Sequence, residues 1–164
     1  MPRTHVDILV THAQFYLAEL CALDMIDNDM YRGFNGLVSA HTCLAIVMTG
    51  TESGHVSLTA DWRAEEPPLD LTAWESVVDV SMVFEEEPGA LSGPRDEDGR
   101  GFPQLAPGSY RVRFHARGRD RGSAQRNVPG SPVEEHLVAA WPAPPAPETC
   151  HKLGDLYGAE VRAR

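Results

Sequence analysis

Apolar side chains recur at every second position through most of this chain, and that period constrains the fold more than any other feature. Val56, Leu58 and Ala60 alternate with Ser57, Thr59 and Asp61 between Gly54 and Trp62. Val78, Val80 and Met82 alternate with Val77, Asp79 and Ser81 between Trp74 and Phe84. Successive side chains of a strand point to opposite faces, so each run reads as a strand with one face toward a core. Val6, Ile8 and Val10 open a long first strand that continues through Phe15 and Leu17, with a bend expected near His12. Gly36 to Met48 carries two short apolar runs, read as a strand pair or one irregular strand, and Val133 to Trp141 supplies the last strand.

The stretch Leu105 to His115 is the most informative for architecture. Pro107 and Gly108 make a tight turn, after which Tyr110, Val112 and Phe114 share one face. A Leu-x-Pro-Gly-x-Tyr-x-Val run resembles the corner opening a late strand of β-sandwiches, where the tyrosine hydroxyl returns to nearby backbone. Tyr110 is therefore expected in the core. The expected fold is all-β: a single antiparallel β-sandwich, jelly-roll or immunoglobulin-like, over residues 1–141. Residues 142–164 then form an extended tail rich in proline, carrying at most one short helix that packs on the sandwich. Thr149 is the expected cap of that helix over His151 to Tyr157, with Gly158 ending it. Two long loops are expected: an acidic one at 85–101, poorly ordered for want of apolar residues, and an Arg- and Gly-rich one at 117–132.

At 164 residues, 42% hydrophobic and 23% charged, the chain has the composition of one globular domain. No apolar run approaches the ~20 residues that span a bilayer, and Asp7 interrupts the stretch a signal peptide keeps apolar. Cys21, Cys43 and Cys150 are odd in number and lack Cys-x-x-Cys spacing, so they read as structural thiols in a reducing cytoplasm. The net charge of −10 is unevenly spread: residues 1–100 hold 18 acids and 5 bases, residues 101–164 hold 6 acids and 9 bases. A phosphate backbone needs a dominant basic surface, so nucleic acid is not an expected ligand and a basic partner is.

Motifs that carry chemistry are missing. There is no Gly-x-Ser-x-Gly elbow, no phosphate-cradling glycine loop ahead of a helix and no His-Glu-x-x-His helix. The expectation is a protein that is not an enzyme, holds no metal and needs no cofactor. One group of residues competes with that reading. His115, Arg117, Arg119 and Asp120 crowd the end of one strand, Glu134 and His136 open another, and guanidinium groups there would suit a carboxylate or phosphate. Trp141 joins these candidate binding residues as an aromatic anchor, although an aromatic ending a strand also closes a core. On this alternative the chain is a small-ligand or metal-binding sandwich, with catalysis open, using His115, Arg117, Arg119, Glu134 and His136.

Four segments together resemble competence protein J. They are Val6 to Tyr16, Gly36-Leu-Val, Trp74-Glu-Ser-Val-Val-Asp-Val-Ser81 and Leu105-Ala-Pro-Gly-Ser-Tyr-Arg-Val112. That bacterial family comprises small acidic inhibitors of a DNA-entry nuclease. The resemblance implies a non-enzymatic inhibitor or immunity partner that binds another protein, a basic nuclease or toxin, with a homodimer as a further option. It carries no site residue across, and the Arg loop at 117–126 and the tail rich in proline are departures from it.

Overall fold

The computed structural model describes residues 3–95 and 101–164. The strands are β1 (Thr4–Val10), β2 (Gln14–Ala18), β3 (Val38–His41), β4 (Leu44–Met48), β5 (Ser53–Trp62), β6 (Ser76–Phe84), β7 (Ala90–Ser92), β8 (Gly108–Arg117), β9 (Asn127–Val128), β10 (Glu135–Pro142) and β11 (Thr149–Leu153). Two short helices, α1 (Arg119–Gln125) and α2 (Leu156–Arg162), and two 3-10 turns at Leu20–Met25 and Asn28–Tyr31 complete it. The larger sheet runs β1-β5-β10-β8-β6-β11, with β9 beside β5, and the smaller runs β3-β4-β2-β7. This is the all-β sandwich that the period-two runs require. Its ladders are antiparallel except that β10 and β9 lie parallel to β5.

Alternation builds the core directly. Ile8, Val56, Leu58, Val78, Val80, Val112, Phe114 and Val138 face inward from the larger sheet onto Phe15, Leu17, Val47 and Leu91 of the smaller. A second apolar cluster covers the other face of the smaller sheet, where Tyr16, Ala18, Leu44 and Ile46 pack under the 3-10 turns and under Tyr157 and Val161 of α2.

Several local expectations are corrected. The first strand is not continuous: His12 and Ala13 take successive left-handed conformations, φ 56° and 57°, and hand the chain from one sheet to the other. The Arg- and Gly-rich stretch contains α1, which its glycines and charges disfavour; burial of Arg119 and Gly122 holds it in place. A Cβ on Gly122 would strike the Glu134 carboxylate and Thr51, so only glycine fits there. In the tail, Thr149 to Leu153 forms β11 against β6, where a helix was expected from His151 onward. The helix begins at Leu156, Asp155 caps it and Gly158 lies inside it. Of the expected acidic loop, Ala90–Ser92 is a strand, and residues 96–100 lie outside the described residues. Val112 is in the core as expected, whereas Tyr110 is half-buried at its margin, its hydroxyl donating to the Ala106 carbonyl at 2.6 Å.

Arg119 is the largest fully buried side chain. Its Nε and Nη2 donate to both oxygens of the equally buried Asp155 at 2.6 and 2.7 Å. Nη1 donates to the carbonyls of Gly36 and Met48 at 2.8 and 3.2 Å, and the guanidinium lies over the Tyr157 ring. Burial works to raise the Asp155 carboxyl, but hydrogen bonds and charge from Arg119, with the Gly158 amide, hold it below the usual carboxylate range.

The outward face of β8 presents Arg111, Arg113, His115 and Arg117 in alternation, and most of that row is covered. Arg111 donates to the carbonyls of Ala146 and Pro147, which fastens the proline-rich segment across the sheet. Arg113 grips Asp79 with two bonds at 2.7 and 2.9 Å and also meets the Pro67 carbonyl. His115 is buried beside Trp74, its Nδ1 2.9 Å from the Leu137 carbonyl oxygen. Burial, aided by the nearby Arg113 charge, pushes its imidazole down to about 4 against the opposing pull of Leu137 and Asp79.

Arg119→Met should lower stability by about 3–5 kcal/mol, because it strands a buried carboxylate, and Arg119→Met with Asp155→Leu should recover most of that in denaturant titrations. The Asp155 contribution is present above its unfolded value of about 4 and is lost as pH falls through the lower folded value. His115 acts in a higher window. The unfolded chain takes up a proton near 6.5 that the folded imidazole refuses until about 4. Stability should therefore fall by roughly 3 kcal/mol as pH drops across that window, and His115→Gln should flatten the slope in urea midpoints.

Candidate functional site

The residues singled out from the sequence do not meet in one place, although Glu134 and His136 come together. His115 pairs across the ladder with Leu137, and Ala116 with His136, so the two histidines project from opposite faces of the same sheet. Glu134 and His136 form one buried unit: Glu134 accepts from the Gly50 and Thr51 amides and the Thr51 hydroxyl, and His136 Nε2 lies 2.6 Å from its second oxygen. That unit ties the β4–β5 connection to β10. Arg119 is committed to Asp155. The Asp120 carboxylate accepts from the Leu156 and Tyr157 amides and so caps α2. Arg117 is half-exposed, paired with Glu135 at 2.7 Å and stacked over Trp74. Trp141 is buried on the outer face under the Arg113 guanidinium. Among the described residues no three His, Cys, Asp or Glu side chains come together as metal ligands, and no helix is long and apolar enough to cross a membrane.

A different surface combines concavity, apolar lining and charge. A groove of about 750 Å³ opens beside β7 at the edge of the smaller sheet. One wall is the 3-10 turn, through Leu20, Leu23 and Ile26; the floor is Tyr16 with Ala90 and Ser92; Phe102 and Gln104 form the far side. Leu20 on that wall is 48% exposed, and Met25 at the end of the same 3-10 turn is 65% exposed. Ser92 Oγ is buried without a hydrogen-bond partner among the described residues.

An acidic turn stands at the start of this edge. Glu19, which follows β2, is only 3% exposed, and its Oε1 accepts from three successive backbone amides, those of Glu85, Glu86 and Glu87, at 2.7, 2.8 and 3.2 Å. Burial raises that carboxyl, and the amides of Glu87, Glu86 and Glu85 outweigh it, so the group stays ionised below the usual carboxylate range. The consequence is a fixed turn whose side chains at 85 and 86 point into solvent. Asp24 adds a further carboxylate on the groove wall. The charge run at 85–87 is visible in the sequence, but Glu19, Leu20, Leu23 and Ser92 carry no local signal that marks them as parts of one surface. They meet only because β2 and β7 pair, with Ala18 opposite Ala90 and Tyr16 opposite Ser92.

No protein-family model and no curated protein sequence matches this chain. Two solved structures share its fold. One, described as "Crocagin biosynthetic gene J", superposes with a TM-score of 0.57 at 12% identity and covers 87% of this chain and 98% of its own. The other is ComJ from Bacillus subtilis, described as an inhibitor of the DNA-degrading activity of NucA. It has a TM-score of 0.53 at 10% identity and covers 87% of this chain and 96% of its own. The likeness to competence protein J read from four sequence segments is thus present in three dimensions, as a loose resemblance of fold.

Proposed function

We propose that this chain acts by binding another protein, without turning over a substrate, and that the partner is cationic, such as a nuclease or toxin that it inhibits. The observation that carries the reading is the Glu19 clasp. A buried carboxylate spent on three amides fixes an acidic turn whose side chains at 85 and 86 are exposed, which is how a surface is prepared in advance for an oppositely charged partner. Fold likeness to ComJ, described as an inhibitor of NucA, supports an inhibitory partner role. The acidic excess of residues 1–100 favours encounter with a basic cleft. The three cysteines are free, which fits a reducing cytoplasm.

The test is capture of partners from the native host on the immobilised chain, followed by association kinetics with each purified partner. Association should slow as salt shortens the screening length from ~8 Å at physiological strength, and the triple reversal Glu85→Lys, Glu86→Lys, Glu87→Lys should slow it by about tenfold or more with little change in thermal midpoint. An association rate that stays level from low to high salt overturns electrostatic capture.

Glu19→Gln separates rigidity from charge. It should cost about 2 kcal/mol of stability, speed amide exchange at residues 85–87 and slow association although the turn keeps all three of its acids. Unchanged exchange at those amides would show that the turn holds itself.

A further inference from the structure

We propose that a cleft between the β1–β2 turn, the end of α1 and α2 binds a small organic anion through its carboxylate or phosphate head. The site shares no residue with the acidic turn at 85–87 and takes ligands of the opposite charge. Two adjoining depressions of about 440 and 470 Å³ have Met48 and Arg164 in common. Glu52 and Arg126 line the first and Arg32 the second, so the side chains around the cleft carry three guanidinium groups against one carboxylate. A chain of net charge −10 repels anions overall, and three arginines on one cleft reverse that sign locally.

The first depression is built from turns that are tied to one another. The Ala13 amide donates to the Glu52 carbonyl at 3.0 Å, and the Thr49 amide to the Ala13 carbonyl at 2.9 Å. The Arg126 carbonyl accepts from the Glu52 and Ser53 amides at 2.8 and 3.0 Å. Three of the four non-glycine residues with left-handed φ among the described residues, His12, Ala13 and Arg126, line this one depression. His12 and Ala13 form a two-residue turn between Thr11 and Gln14 with both φ positive, a geometry that favours Asn-Gly. Arg126, at φ 62° and ψ −52°, sits near the rare γ-turn conformation. Main-chain strain kept at three positions around one cavity is the pattern of a site held in shape for a ligand.

The arginines divide into one that is committed and two that are not. Arg126 Nε and Nη2 meet Glu52 Oε2 at 2.7 and 2.6 Å. Arg32 and Arg164 are exposed, line the second depression together and have no carboxylate partner among the described residues. They are the ligands for the head group, because guanidinium forks match the oxygens of a carboxylate or phosphate. Arg164 also stands 5.9 Å from the centre of the Tyr157 ring, which lines the first depression. Met48, common to both depressions, and the half-buried Tyr31 give the rest of the ligand an apolar surface. The occupant is thus an oxyanion head joined to a compact apolar body, a combination that suits a cavity of this size.

The experiment titrates the whole isotope-labelled chain with benzoate, with phenyl phosphate and with uncharged benzyl alcohol at constant ionic strength, and follows the backbone amide resonances. At least one of the two anions should shift residues 28–32, 48–52 and 123–126 saturably, with benzyl alcohol weaker by about tenfold or more; which anion is tighter identifies the head group. Arg32→Ala combined with Arg164→Ala should weaken that anion by about tenfold or more and leave the thermal midpoint unchanged, since both side chains are exposed. Glu52→Gln releases Arg126 and should tighten binding by about threefold. Arg63→Ala, just past the far end of β5, should leave affinity unchanged and so separates local contacts from net charge. Anion binding at this cleft is overturned if neither anion saturates those resonances, if benzyl alcohol binds as well as the anions, or if the double variant binds like the parent. An acidic peptide that shifts these resonances when neither small anion does marks a protein contact and also overturns it.

Discussion

The pair formed by Arg119 and Asp155 is the constraint on which the rest of the arrangement depends. Both side chains are wholly buried, and charges in that setting are tolerable only when every donor and lone pair is met. Arg119 satisfies that condition by reaching four parts of the chain at once: Asp155 at the cap of α2, the carbonyl of Gly36 before β3, the carbonyl of Met48 at the end of β4, and the ring of Tyr157. The helix that carries it, the C-terminal helix and the smaller sheet are thereby placed relative to one another. Asp120 on α1 adds a second tie by capping α2.

The same logic accounts for the polar residues that looked like a site. Basic and acidic side chains on β8 and β10 face loops that must cross the larger sheet with backbone carbonyls unpaired, and Arg111, Arg113 and Arg117 each donate to one or more of those carbonyls. Glu134 does the complementary work for the buried amides of Gly50 and Thr51. Residue types that bind ligands in other settings are here consumed in fastening connections, because a sandwich with long crossing loops has many main-chain groups to satisfy.

At the β7 edge of the smaller sheet a buried charge again satisfies main-chain groups. Gly89, just before β7, bridges to Leu105, and Glu19 spends its charge on holding three amides of an acidic turn. The strand that follows this turn lines one side of the groove.

How much of this was written in the one-dimensional pattern depends on the range of the interaction. Alternation of period two is local, so β5, β6 and β8 were legible, as was the tyrosine corner at Tyr110, because a strand's faces and a Pro-Gly turn are properties of neighbouring residues. The breaks were less so. Thr149 to Leu153 has no strong strand signal and becomes β11 only by pairing with β6, and Arg119 to Gln125 has poor helix propensity and becomes α1 only because Arg119 finds Asp155 some 36 positions later. Composition by itself determined that the chain is acidic toward its first hundred residues and that its strands need a second sheet to cover them. Register decided the rest: whether His115 and His136 share a face and whether Glu19 reaches the amides at 85–87 are set by which strands lie opposite one another, a long-range outcome that no local spacing encodes.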